Sequence, residues 1–178
     1  MNRSTDNSSL FDSGMKKAGE VVSGFIYDYL VRVCEALVDD AIKNKRGWSN
    51  FTGNTITSYA CGLYIDGRFS YYYCSGDNMS QPIRAKLTEN EYAYLSPDYD
   101  GNNRGLRGTV KTDGDYGENM SQKFLKSYKP DCNNGFAIVM CTGTEYSTYL
   151  ENRSNANVLT DTFQKARDIL FANLKPMK

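Results

Sequence analysis

Histidine is absent from this chain of 178 residues, and that absence bounds what its other reactive side chains can do. Without an imidazole, the commonest general base, the commonest metal ligand and the usual partner of a catalytic Ser or Cys are all missing. Five cysteines occur, at Cys34, Cys61, Cys74, Cys132 and Cys141. A thiol nucleophile needs a base beside it. The count is odd and no two cysteines show Cys-x-x-Cys spacing, and scattered Cys without His is a poor zinc set. These residues therefore read as small buried hydrophobes in a compartment that keeps thiols reduced. Ser–Lys and paired-carboxylate chemistry stay open, since neither is decided by sequence; Ser121-Gln122-Lys123 lacks the Ser-x-x-Lys spacing.

Two further stretches invite a chemical reading. The run Gly101-Asn102-Asn103-Arg104-Gly105-Leu106-Arg107-Gly108 is Gly-rich but lacks the Gly-Lys-Ser/Thr ending of a phosphate loop and has no βαβ context. It reads as a surface loop, on which Arg104, Arg107 and Lys111 form a basic patch suited to a protein or phosphate contact. Asp98, Asp100, Asp113 and Asp115 do not match a calcium loop: Gly114 stands between the last two, and no Glu completes the site. They read as turn formers. The expectation is no catalytic site, no metal and no cofactor.

Lys plus Arg and Asp plus Glu both number 21, so the chain lacks the positive field of a dedicated nucleic-acid or anionic-membrane binder. No apolar run is long enough to span a bilayer, and residues 1–14 do not resemble a secretory signal. Tyrosine is abundant, at 14 residues. Such residues serve either as half-buried strand positions or as anchors at contact surfaces.

The elements that would position these groups follow from periodicity. Residues 1–14, rich in Asn, Ser and Asp, read as a flexible arm. Residues 15–178 read as one α+β domain with an insertion at about 75–134. Met15–Lys45 reads as a long helix, with Val22, Ile26, Tyr29, Leu30, Val33, Leu37 and Ala41 at helical spacing and Ser13 as its cap. Asn54–Ile65 and Arg68–Cys74 read as strands joined at Asp66-Gly67, a hairpin turn whose two positions need positive φ. Gly53 is expected in a conformation closed to other residues. Phe136–Cys141 reads as a buried strand, Tyr146–Glu151 as a strand or helical turn, and Thr160–Lys175 as a closing helix. In that helix Asp161 and Gln164 resemble a capping box, and Phe163, Ala166, Leu170 and Leu174 form an apolar face. The order gives a small antiparallel sheet with a long N-terminal and a C-terminal helix packed on one face.

Between Ser75 and Asn134 apolar residues thin out, and the stretch reads as an excursion from the core. Leu87–Leu95 and Met120–Tyr128 read as short helical or extended pieces within it. Its aromatic residues Tyr92, Tyr94, Tyr99, Tyr116, Phe124 and Tyr128, with Arg104 and Arg107, are the candidate assembly contacts, because such side chains anchor interfaces.

Three segments, in order, resemble the tail-component family of long-tailed bacteriophages. Trp48-Ser49-Asn50-Phe51-Thr52-Gly53-Asn54-Thr55-Ile56-Thr57-Ser58 is similar to a Pro-x-x-Thr-Gly-Asn-Leu-x-x-Ser segment that leads that family from its first helix into its first strand. Gly143-Thr144-Glu145-Tyr146-Ser147-Thr148-Tyr149-Leu150-Glu151 resembles its Tyr-Ala-x-Tyr-Val-Glu-x-Gly edge, and Asn157–Leu174 its closing helix. Here no Pro precedes Thr52 or the last helix, and Arg153-Ser154 follows Glu151 where the family has Gly. The insertion at 75–134 is longer than the family's connection. The resemblance implies a non-enzymatic virion protein at the head–tail junction or tail: a neck, head–tail connector or tail-completion subunit. It would be assembled in the host cytoplasm into a homo-oligomeric ring. Its partners would be portal or adaptor proteins on one side and tail proteins on the other, with nucleic acid at most passing through the lumen. The alternatives are a small soluble Tyr-rich module binding carbohydrate or peptide, and a hydrolase that works without His.

Overall fold

The computed structural model describes residues 7–43, 52–75, 83–88, 91–95, 116–145, 147–153 and 158–174. Its centre is strand β1 (Tyr59–Ile65), which lies between β2 (Arg68–Cys74) and β5 (Phe136–Thr142) in an antiparallel sheet of order β2-β1-β5. β1 is buried along nearly its whole length. Its alternating side chains divide between two faces. Tyr59, Cys61 and Leu63 join the larger core beneath α1 (Ser8–Lys43), while Ala60 belongs to a second cluster with Leu125 of α3 (Tyr116–Ser127). Helices therefore cover both faces of the sheet, where the sequence pattern predicts one. The sheet, the long N-terminal helix and the closing helix are otherwise as expected of an α+β chain.

The turn at Asp66-Gly67 forms as its chemistry requires, with φ of 49° and 73°, and pairs β1 with β2. Between Leu63 and Tyr64 the register shifts: Leu63 faces Tyr71, but Tyr64 faces Phe69. Ser70 is the extra residue of a bulge, and one extra residue exchanges the faces beyond it. Phe69 thus packs in the α3 cluster with Tyr72, whereas Tyr71 and Tyr73 pack toward α1.

Gly53 has φ 81°, the left-handed region that the Thr52-Gly53-Asn54 turn implies. The next four residues depart from the expected strand: Asn54–Thr57 is a helical turn, α2, and β1 starts only at Tyr59. Side-chain bonds explain the switch. The Thr57 hydroxyl donates to the Gly53 carbonyl at 2.9 Å and that of Ser58 to the Thr55 carbonyl at 2.7 Å, local bonds that compete with strand pairing.

Helix α1 begins at Ser8 rather than Met15, so residues 8–14 are its first turns and not an arm, and Ser13 lies inside it. The polar residues there sit where unpaired N–H groups tolerate them; the Phe11 amide donates to the Asn7 carbonyl at 3.0 Å. Only from Tyr29 onward is α1 buried, through Leu30, Val33, Cys34, Leu37, Val38 and Ala41.

Within the region 75–134 the expected short pieces form as a strand pair and a helix, and the helix is part of the core. The strand pair is a separate hairpin, β3 (Ile83–Thr88) paired with β4 (Glu91–Leu95). The helix is α3, whose Gly117, Ser121 and Leu125 are buried. The spacing of four between those three residues is the apolar-face signal, but two of its three members are small or polar, which hides it. A Cβ on Gly117 would lie 1.9 Å from the Asn54 carbonyl oxygen, and one on Gly143 would lie 2.5 Å from the Ser121 amide. The two glycines let α3 seat against α2 and the end of β5.

The segment after β5 forms α4 (Ser147–Arg153), and α5 runs Val158–Ala172. Asp161 lies within the first turn of α5, so no capping box forms there. Glu151 of α4 supplies the cap instead: its carboxylate accepts from the Leu159 amide at 3.1 Å and from the Thr160 hydroxyl at 3.4 Å. α5 docks on α1 through Val158 and Thr162, both fully buried. The Thr162 hydroxyl donates to Asp40 at 2.9 Å and the Tyr29 hydroxyl to the Leu170 carbonyl at 2.5 Å. Phe163, expected on the apolar face, is 80 % exposed, because burial of Val158 and Thr162 turns it outward.

Candidate functional site

Buried hydroxyls converge where α2, α3 and the strand ends meet, the densest group of potential nucleophiles in the described chain. Ser58 Oγ lies 2.6 Å from Thr142 Oγ1. The Ser121 hydroxyl donates to the Ser58 carbonyl at 2.5 Å, and that of Ser75 donates to the Ile56 carbonyl. With their donors on main-chain carbonyls, these groups join elements; a nucleophile needs its proton taken by a base. Cys34, Cys61, Cys74 and Cys141 are buried and Cys132 is half-buried. Burial pushes the Cys141 thiol up to about 11, and hydrogen bonding to Cys34, followed by burial, raises that of Cys61. Raised thiols are poor nucleophiles. Among the described residues no three His, Cys, Asp or Glu side chains gather as metal ligands.

Tyrosine hydroxyls act mainly as ties between layers. Tyr64 donates to the Leu125 carbonyl of α3 at 2.6 Å, and Tyr71 donates to Glu35 of α1 at 3.0 Å. Burial raises both above the ordinary tyrosine value, Tyr64 to about 12.

Of the candidate assembly contacts, the structure brings together those on α3. Phe124 and Tyr128 lie one turn apart with ring centroids 5.5 Å apart, and Tyr128 meets Tyr64 edge-on at 6.2 Å. Met120 precedes them by one turn, and all three are exposed. Tyr116 starts the same row, its hydroxyl donating to Glu145 at 3.2 Å. The outer side of α3 thus carries an apolar stripe next to its buried one. Tyr92 and Tyr94 sit on β4, opposite Lys86 and Arg84. Tyr99, Arg104 and Arg107 lie outside the described residues.

Two surfaces escaped sequence reasoning. An apolar cleft of about 400 Å³ opens between α1, β5 and α5, lined by Leu37, Ile138, Met140, Leu159, Phe163 and Leu170. The signal was the alternation of β5, whose Ile138 and Met140 share a face, in a strand that proves half-exposed. The other surface is the outer half of α1, where Leu10, Phe11, Met15, Val21 and Val22 are all exposed. A polar cleft of about 560 Å³ also lies beside the hairpin turn, lined by Asp66, Arg68, Phe69, Ser70 and Asn133. Its Asp66 is already engaged, accepting from the Gly135 amide at 2.8 Å.

Compared with known protein families, curated proteins and solved structures, the chain matches none of them. In the structure the Thr52-Gly53-Asn54 turn stands between the first helix and the first strand.

Proposed function

We propose that the chain is a structural subunit of a tailed-phage virion, at the neck, head–tail junction or tail-completion position. It would act by assembling into a ring, without catalysing a reaction. The observation that carries this reading is a pair of uncovered apolar surfaces on opposite sides of one subunit. The Met120–Phe124–Tyr128 stripe lies on the α3 side, and the cleft with exposed Phe163 lies on the α1 and α5 side. A ring needs two unlike surfaces on each subunit, each meeting the other on the next copy. The order β2-β1-β5 also leaves β2 and β5 as outer strands, and such edges can pair across a contact. The Thr-Gly-Asn turn and the closing helix supply the link to phage proteins.

The test is the native mass of the purified chain together with electron microscopy of the same sample. Closed rings are expected, lost when Phe124→Ser or Phe163→Ser removes one of the two surfaces. A chain that stays monomeric at every concentration, alone and with portal or tail proteins, would overturn the ring. A monomer that binds a peptide in the apolar cleft would favour the binding-module alternative.

A further inference from the structure

We infer that the outer half of α1 pairs with the same segment of a second copy, antiparallel, about a twofold axis at Ala18. Helix α1 has 36 residues, about 54 Å at 1.5 Å per residue. Its burial begins only at Tyr29, so well over a third of its length extends past the core. Residues 8–24 are exposed throughout, yet they are not polar all round. Phe11, Met15, Ala18, Val22 and Phe25 recur at alternating steps of four and three, the spacing of a helix–helix seam, and Gly14 and Val21 lie beside them on the same side. Asp12, Ser13, Lys16 and Glu20 fall on the opposite side.

The occupant of this seam is written in the pattern itself. Read backward from Phe25, the apolar positions are 25, 22, 21, 18, 15, 14 and 11, the same set as read forward. About a centre at Ala18, Phe11 meets Phe25, Met15 meets Val21, and Gly14 meets Val22. A set of seam positions that reads the same in reverse can pair with itself under a twofold rotation, as an isologous contact requires. Small residues stand where two backbones would approach most closely: Ala18 lies on the axis, and a Cβ on Gly14 would meet nothing within 4 Å in the single chain. Five large side chains from each copy, Leu10, Phe11, Met15, Val21 and Val22, are exposed. At about 60–120 Å² of apolar surface for a whole side chain, and with roughly three-fifths of each still exposed, ten of them bury about 400–700 Å², the size of a weak contact. The charges of the segment sum to zero, Asp12 and Glu20 against Lys16 and Lys17, so two copies do not repel. This contact stands apart from the ring reading: it closes on itself, and it uses neither the α3 stripe nor the cleft.

The experiment uses the full chain carrying Cys132→Ser, so that the half-buried thiol is gone. Ser9→Cys or Lys16→Cys is added on the polar side of α1, and each sample is spin-labelled for distance measurement. In the antiparallel pair, the two labels at position 9 are offset by about 27 Å along the axis and those at 16 by about 6 Å, with the same separation across the two helices added to both, so the distance at 9 should be clearly the longer. Equal distances at both positions would mean parallel pairing and overturn the inference. So would the absence of any intermolecular distance at a concentration of about 100 µM. Met15→Glu with Val22→Glu should halve the mass of the smallest assembly while leaving the circular dichroism spectrum unchanged, since both residues are outside the core. An unaltered mass in that variant would equally overturn it. Phe124→Ser and Phe163→Ser, which disrupt the ring contacts, should leave both label distances in place.

Discussion

Replacing Leu125 by Ala tests whether α3 is a layer of the core or a passenger on it. Leu125 is fully buried, among Ala60, Cys74, Cys141, Phe69, Tyr72 and Val139. Its own carbonyl is held by the Tyr64 hydroxyl, so the helix cannot settle inward to refill the space. Leu→Ala changes at such sites cost about 3 kcal/mol or more. For a chain of this size that lowers Tm by about 6–12 °C. Gly62 supplies an internal check. A Cβ built there would lie 3.2 Å from Leu125 Cδ2 and 3.3 Å from Tyr64 Cε2. Gly62→Ala should therefore destabilise the native chain by about 1 kcal/mol through overpacking, yet cost clearly less when Leu125 is already Ala and only the Tyr64 contact remains. The coupling expected of touching residues is about 0.5–3 kcal/mol. Urea unfolding of the four proteins measures all of it. Additive effects, or a Leu125→Ala chain that melts at the native temperature, would refute the two-sided sheet.

Leu37→Asp places an unpaired charge at a buried site in the α1 core and should unfold the chain, at a cost of several kcal/mol, read as loss of the cooperative melt. Gly53→Val must adopt φ 81° and should cost about 1–3 kcal/mol in denaturant unfolding. Glu151→Ala removes the acceptor from the start of α5, and about 1 kcal/mol of stability should go with it, in line with other N-cap losses; faster amide exchange at Leu159 would locate the loss. Alkali should destabilise the fold from about pH 10 to 12. Tyr64 keeps its proton to about 12 when folded, whereas an unfolded tyrosine loses it near 10. The unfolded chain thus binds fewer protons in that window and is favoured as pH rises. Constant stability across it would contradict the burial of Tyr64.

Legible in the sequence is whatever a single dominant signal specifies. The Asp66-Gly67 turn, the positive φ at Gly53 and the apolar stripe from Ile26 to Ala41 each depend on local geometry or on large side chains at one period. The closing helix is legible for the same reason, and its face in part: Ala166 and Leu170 pack against the core, whereas Phe163 and Leu174 are exposed. Phe163 is the obvious apolar residue there, and Thr162 the unlikely one, yet Asp40 supplies Thr162 with a partner from a helix over a hundred positions away. A helical piece at Met120–Tyr128 is legible, but the place of α3 in the core stays hidden, because Gly117 and Ser121 make its contact by being small. Tyr116 and Phe124 of α3 and Tyr128 just after it group together on residue type alone, although the segment that carries them reads as an excursion. The cleft is not legible, since it exists only where three elements distant in sequence leave a gap.

The sheet order β2-β1-β5 has a consequence for the time course of folding. β1 and β2 are joined by a two-residue turn and can pair within microseconds. The other edge of β1 waits for β5: the Ser58–Thr142 bond joins residues 84 apart. Closing a loop of that size costs little more than closing a shorter one, because the entropy grows only with the logarithm of length, but the search is slower. On the ribosome β1 therefore spends the synthesis of everything from Ser75 to Gly135 with one side unpaired. At about 5–20 residues per second that interval lasts several seconds, far longer than the hairpin needs to form. During it the nascent chain presents an apolar, open strand, and the completed sheet is among the last parts of the subunit to appear.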